Sequence, residues 1–231
     1  FAQERRTIAL DLPGFGDSEM PAEEITISGF GRAVDALCEQ LDLGPVVLVG
    51  NSMGGFTAAE VAIRFPERAE RLVLVAAAGI ASNHVARQPL MTLARLLAAT
   101  STDMAVRAKR TLSRPRWTKM AFGTVFRHPT RIARDLLYEQ ALGGGKPGFL
   151  PSLEAIGDYD FRDRLPEIAC PTFIVQGSDD MLVPVEDADH FQRAIPNSRA
   201  IVLEDTGHVP MLERPETFNR MLVDFLDEGP A

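Results

Sequence analysis

The chain has 231 residues, of which 45% are hydrophobic and 24% charged, and its formal net charge is -8 at pH 7. These values are typical of one soluble globular domain with a full core and room for an insertion. The acidic balance argues against nucleic acid as a partner, because phosphate binding needs a basic surface.

The first predicted elements are a short strand at residues 7–12 and a helix at residues 28–43. The glycine-rich loop at residues 13–18 contains Gly-x-Gly but lacks the third glycine and the register of a dinucleotide-binding fingerprint, so a phosphate-binding loop is not favoured. Apolar residues recur at helical spacing in the helix, at Phe30, Val34, Leu37 and Leu41.

The next stretch combines a strand with a motif. Residues 46–49 are apolar and mostly β-branched, which predicts a buried strand. Gly-Asn-Ser-Met-Gly follows at residues 50–54 and fits Gly-x-Ser-x-Gly, the pattern that places a serine on a sharp strand-to-helix turn. We expect Gly50 and Gly54 to flank Ser52 because a side chain at either position would collide across the turn.

Ser52 is then predicted to lie at the N-terminus of a helix that continues through residues 56–63. In that position the backbone amide of Met53 would point at an incoming substrate and donate to an oxyanion. The helix dipole favours negative charge at the same place.

After this helix, strands and helices continue to alternate, apart from one long interruption. Strands are predicted at residues 71–76, 171–177 and 200–203, and helices at residues 185–194 and through Phe218, Met221, Leu222 and Phe225. Strands that alternate with helices of about a dozen residues imply a parallel sheet covered on both faces. The expected fold class is therefore α/β, with a mostly parallel, doubly wound sheet.

The interruption extends from about residue 79 to residue 165, where helical stretches such as residues 90–97 and 132–138 replace the strand pattern. Glycines at residues 143–145 break it, so we interpret it as a helical insertion with a flexible loop. Residues 107–134 contain nine Lys and Arg residues and no acidic one. A solvated helix face explains this excess, and a guide for anionic or interfacial substrates is the alternative.

Three polar side chains form a candidate catalytic set. A serine hydroxyl needs a base within hydrogen-bond reach, and the base needs a partner that fixes its tautomer. His208 follows a strand and a glycine, at the sheet edge where parallel sheets place their sites, and Asp180 follows the preceding strand. The order Ser52, Asp180, His208 is the one expected of a serine hydrolase on an α/β sheet. The other histidines are predicted to be surface or packed side chains: His84, His128 and His190.

On these motifs the chain resembles the α/β-hydrolase superfamily. Gly-Asn-Ser-Met-Gly-Gly at residues 50–55 matches its nucleophile elbow, and Gly-Ser-Asp-Asp-Met-Leu-Val-Pro at residues 177–184 matches its Gly-x-x-Asp loop. Gly-His at residues 207–208, with Glu-Arg-Pro at residues 213–215, matches its histidine loop. Residues 11–18 resemble the loop after its fourth strand.

The resemblance implies roles and a domain division. The acid of the family is the fourth residue of Gly-x-x-Asp, which selects Asp180 over Asp179. Residues 81–165 would form the helical cap that covers the serine and shapes the substrate pocket, between core segments at residues 1–80 and 166–231. Family members also carry an oxyanion loop after a third strand, which has no match here. We therefore expect the sequence to be an N-terminally incomplete form of a longer protein.

The resemblance leaves three functions open. The first is hydrolysis of a carboxylic ester through an acyl-enzyme on Ser52, with His208 as base, Asp180 as its partner and the Met53 amide as oxyanion donor. The second is cleavage of a carbon–carbon bond in aromatic ring-fission products, although those hydrolases usually have Trp where this chain has Val209. The third is a non-catalytic binding module on the same fold.

Further expectations concern partners and location. The predicted substrate is a small-molecule ester, and neither a cofactor nor a metal site is predicted. No apolar run approaches the roughly twenty residues of a membrane span, so stable membrane insertion is not expected. Cys38 and Cys170 have no metal-ligand spacing and are predicted to be structural thiols. No secretory signal pattern is recognised, and the expected location is the cytoplasm.

Overall fold

The computed structural model describes residues 3–80, 114–143 and 146–228. The strands in these ranges are β1 (Val46–Asn51), β2 (Ala69–Val75), β3 (Thr172–Gly177) and β4 (Ser198–Leu203). The α-helices there are α1 (Ile27–Gln40), α2 (Met53–Arg64), α3 (Pro115–Phe122), α4 (Arg134–Gly143), α5 (Phe149–Asp158), α6 (Glu186–Ala194), α7 (Pro210–Glu213) and α8 (Pro215–Asp227). Short 3-10 helices lie at Pro66–Arg68, Pro129–Arg131 and Arg162–Glu167. Three features of the sequence lie outside the described ranges: the helix predicted at residues 90–97, His84, and residues 107–113 of the Lys- and Arg-rich segment.

The four described strands form one parallel sheet in the order β1-β2-β3-β4. All six residues of β3, which lies between β2 and β4, are buried. In a parallel strand that is covered on both faces, consecutive residues are buried in this way. The predicted α/β class and the strands predicted near β2, β3 and β4 are confirmed.

Helices cover both faces of this sheet. In β2, Leu72 and Leu74 belong to a core cluster with residues of α1, α2 and α6, whereas Val73 and Val75 belong to a second cluster with residues of α8. The alternation follows from the two-residue period of a strand, which directs successive side chains to opposite faces. β2 therefore supports both layers of helices.

The strand predicted at residues 7–12 is wrong. None of the described strands pairs with these residues, and Ile8 and Leu10 are each 41% exposed. A short apolar run predicts a buried strand only if a neighbouring strand supplies hydrogen bonds, and sequence alone does not show that neighbour. The strand predicted at residues 46–49 is present as β1, but it is an edge of the described sheet and is only partly buried, with Val49 52% exposed.

A buried carboxylate joins α2 to two other parts of the chain. The side chain of Glu60 is fully buried, and it accepts hydrogen bonds from Ser28 Oγ at 2.7 Å, Arg64 Nε at 2.9 Å and the Tyr159 hydroxyl at 2.7 Å. A buried charge is tolerated when its oxygens are paired in this way. The N-terminal cap of α1 is Thr26, whose Oγ1 accepts a hydrogen bond from Gly29 N at 2.9 Å.

Among the helices that the structure describes, none is both long and apolar enough to cross a membrane.

Candidate active site

Ser52 occupies a strained turn between β1 and α2. Its backbone angles are φ 54° and ψ -118°, a region that residues other than glycine rarely adopt. The surrounding backbone holds it there. Ser52 N donates to Val75 O at 2.9 Å, and Ser52 O accepts from Ala78 N at 3.1 Å. The turn predicted from the motif is therefore anchored to the end of β2.

The glycines around Ser52 differ in what their positions require. A side chain at Gly50 would place its Cβ 2.1 Å from Gly54 O, and one at Gly55 would place it 2.6 Å from Ala77 Cβ. At Gly54, by contrast, no described atom outside its chain neighbours and the nearby backbone of α2 lies within 4 Å of the added carbon. The expectation of a collision is thus confirmed for Gly50 and wrong for Gly54. The first turn of α2 directs Gly55, not Gly54, against the end of β2.

Asp180 and His208 are in direct contact. His208 Nδ1 lies 2.8 Å from Asp180 Oδ2, and the exposed fractions of the two side chains are 7% and 0%. An ionised carboxylate only accepts hydrogen bonds, so this contact requires Nδ1 to carry a proton and leaves Nε2 of the neutral ring as an acceptor. Asp179, the neighbouring carboxylate, instead contacts Ser178 and Arg127.

Further donors fix the carboxylate of Asp180. Oδ1 accepts from the backbone N–H groups of Leu182 at 2.8 Å and Val183 at 3.0 Å. Oδ2 also accepts from Gln176 Nε2 at 2.9 Å. Both oxygens are therefore held by groups on β3 and the loop after it, which orients the carboxylate toward His208.

Asn51 joins the serine turn to the histidine loop. Its Nδ2 donates to Val75 O and to His208 O, each at 3.0 Å. Among the hydrogen bonds of the described residues, none joins Ser52 Oγ to the His208 ring, so the residue before the serine makes the link. Sequence reasoning missed this role because Asn51 occupies a variable position of Gly-x-Ser-x-Gly.

We predict that Asn51→Ala lowers kcat about 10-fold on an aryl ester with little change in KM, because a small displacement of a base relative to its nucleophile is costly. Steady-state kinetics would measure this, with the exposed Asn197→Ala as the matched control. An Asn51→Ala protein with wild-type kcat would contradict the proposed link.

The remaining candidate groups lie elsewhere. His190 is exposed on α6, and His128 contacts Asp205. Cys38 and Cys170 are free thiols, and burial raises the pKa of both, which keeps them protonated and weakly nucleophilic. Within the described ranges, no group of three His, Cys, Asp or Glu side chains could hold a metal ion.

Comparison with known proteins adds independent observations. A family model described as alpha/beta hydrolase fold matches residues 1–215. A 2-hydroxy-6-oxo-6-phenylhexa-2,4-dienoate hydrolase of Comamonas testosteroni is 30% identical over an alignment of 230 residues. The alignment covers 96% of this chain and 77% of that protein. A putative carbamate hydrolase, RutD, of Pseudomonas savastanoi pv. phaseolicola is 29% identical over an alignment of 222 residues, which covers 95% of this chain and 83% of that protein. The structure of an esterase from Exiguobacterium antarcticum aligns with a TM-score of 0.72 and 26% identity, covering 94% of this chain and 80% of the other.

Proposed function

The chain belongs to the α/β-hydrolase family, and from this premise we propose that it hydrolyses a carboxylic ester through an acyl-enzyme on Ser52. One observation carries the proposal. His208 is hydrogen-bonded through its ring to the buried Asp180 and through its backbone to Asn51, the residue before Ser52. This arrangement supports a base next to a serine at the C-terminal edge of the sheet.

In the proposed reaction, Ser52 Oγ attacks the ester carbonyl carbon while His208 Nε2 takes its proton. The tetrahedral intermediate expels the alcohol, which receives that proton, and leaves an acyl group on Ser52. Water then attacks the acyl carbon while its proton passes to His208. The bond between that carbon and Ser52 Oγ breaks, His208 returns the proton to Oγ, and the carboxylic acid leaves. Asp180 orients the imidazole throughout, and the Met53 amide at the start of α2 donates to the oxyanion.

Carbon–carbon bond hydrolysis is the second candidate. It is supported by the relative from Comamonas testosteroni, which is named as a hydrolase of a phenylhexadienoate. Val209, which follows His208, is 4% exposed and packs with Phe122 and Phe126. Val209 therefore packs beside the histidine and offers no polar group to a dienoate, which counts against this candidate.

We expect a fluorophosphonate probe to label the protein once, on Ser52, and to abolish ester hydrolysis, because only an activated serine reacts rapidly with it. Mass spectrometry of the intact and digested protein would locate the adduct, and denatured protein is the control. Turnover of short-chain aryl esters and of a vinylogous 1,5-diketone acid would then separate the two reactions. A native protein that takes no label would refute the proposal and favour a non-catalytic module.

The domain division is part of the same proposal: we infer that residues 81–165 form a cap over the serine. Two contacts support this. Gly148 N donates to Gly14 O at 2.9 Å, and Lys146 Nζ donates to Gly16 O at 2.6 Å, so the segment before α5 packs on the loop at residues 13–18. The chemistry requires no cofactor, and a cytoplasmic location stays a prediction.

A further inference from the structure

The backbone N–H groups of Gly207 and His208 are held by Glu213 and by a part of the chain that precedes β3. His208 N donates to Val125 O at 2.8 Å. Gly207 N donates to Glu213 Oε1 at 2.8 Å, and Arg127 N donates to Glu213 Oε2 at 2.8 Å. Glu213 thus connects the histidine loop to residues 125–128, which we call the bracing segment.

The packing here is close. A Cβ at Gly207 would lie 2.8 Å from Arg127 N and 2.9 Å from Val125 O. On the other side of the loop, a Cβ at Gly177 would lie 2.1 Å from Gly207 O. The peptide before His208 is therefore enclosed between the end of β3 and the bracing segment, and His208 moves only if one of them moves.

Ion pairs between partly exposed side chains surround this bridge. Arg127 Nε is 3.1 Å from Asp179 Oδ1, and Asp205 contacts Arg127, Arg214 and His128. The hydrogen bond from His128 lowers the pKa of Asp205, and the nearby Arg127 and Arg214 add to this effect. Arg127 and Asp205 side chains are 50% and 47% exposed, and exposed ion pairs contribute little. The supports that remain are the hydrogen bond from His208 N to Val125 O and the bridge that the Glu213 carboxylate makes between Gly207 N and Arg127 N.

We propose that Glu213 is a positioning residue for His208, holding the histidine loop against the bracing segment through its two carboxylate oxygens. The inference rests on the proposed function, because it takes His208 as the base. A bridge between two N–H groups needs two acceptor oxygens on one side chain. Glutamine has one and would turn an NH₂ group toward the second donor, and aspartate is one methylene too short to reach both.

We expect Glu213→Gln to lower kcat about 10- to 100-fold with KM changed less than about twofold, because the base is displaced while the pocket keeps its form. The rate of fluorophosphonate labelling at Ser52 should fall by a similar factor, while the fluorescence and circular dichroism spectra of the folded protein stay unchanged. Glu213→Asp keeps the charge but cannot reach both N–H groups, so it should show a similar loss in both rates.

Arg127→Ala is the matched control. It removes the exposed guanidinium and its ion pairs but keeps the backbone N–H that Glu213 accepts, so kcat and the labelling rate should stay within about threefold of wild type. A loss in Arg127→Ala as large as in Glu213→Gln would overturn the proposal, because the ion pairs would then provide the support.

The remaining outcomes are distinct. A wild-type protein that takes no label refutes the proposed function and the role of His208 as base. If the wild type is labelled and both Glu213→Gln and Glu213→Asp are labelled at the same rate as the wild type, only the role of Glu213 is overturned. If neither variant folds, Glu213 acts in folding and the positioning role is likewise rejected.

Discussion

Ser52→Ala should retain the fold and lower kcat for ester hydrolysis by about 10⁴-fold or more, because the hydroxyl oxygen forms the covalent bond in the proposed mechanism. The removed group is small, and alanine accepts the backbone strain at this position no worse than serine does. Binding of a non-hydrolysable ester analogue should persist. Steady-state kinetics and equilibrium binding on the same preparation would measure both.

The control for this variant is Ser18→Ala, which removes an exposed serine of the loop at residues 13–18 and should keep wild-type kcat. A companion variant, Asp180→Asn, should also be severely impaired because the amide can present its NH₂ group to His208 and favour the wrong tautomer. Turnover by Ser52→Ala within tenfold of wild type would exclude the acyl-enzyme.

Gly50→Ala should destabilise the protein by about 3 kcal/mol, the upper part of the range for overpacked sites. Its methyl group would lie 2.1 Å from Gly54 O and 2.3 Å from Gly54 C, so the start of α2 would have to move. Urea unfolding followed by fluorescence would give the change in the free energy of unfolding.

Gly54→Ala is the matched comparison, with the same added methyl group in the same turn. Since no described atom outside its chain neighbours and the nearby backbone of α2 lies within 4 Å of that carbon, we expect no loss of stability and a gain of up to about 1 kcal/mol from helix propensity. Equal destabilisation by the two variants would show that the close contact at Gly50 is not the cause.

The parts of the fold that were predicted correctly depend on local patterns. Apolar runs located β2 and β3, because strands buried on both faces have few other sequences available to them. A short apolar run also located β4, although none of its residues is buried. The same runs placed Ser52, Asp180 and His208 after strands, at one edge of the sheet. Residues 7–12 misled us because an apolar run does not show whether a partner strand is present.

The missed parts depend on contacts between distant residues. Asn51 and His208 are 157 positions apart, and Glu213 and Arg127 are 86 apart, so no local spacing connects them. The prediction of a collision at Gly54 failed for a different reason. The motif shows where glycines occur but not which of them faces the neighbouring strand.

The parallel pairing of β2 with β3 brings together Leu72 and Thr172, between which the chain leaves the sheet and returns. The entropy of closing such an excursion grows only with the logarithm of its length, so doubling it costs about 0.6 kcal/mol. A segment of different length could therefore replace part of that excursion at little cost in closure entropy, provided that it kept the core side chains of Phe161, Leu165 and Ile168. Any transplant must still reproduce the carbonyl of Val125 and the amide of Arg127, since these two groups belong to the excursion but serve the rim of the sheet.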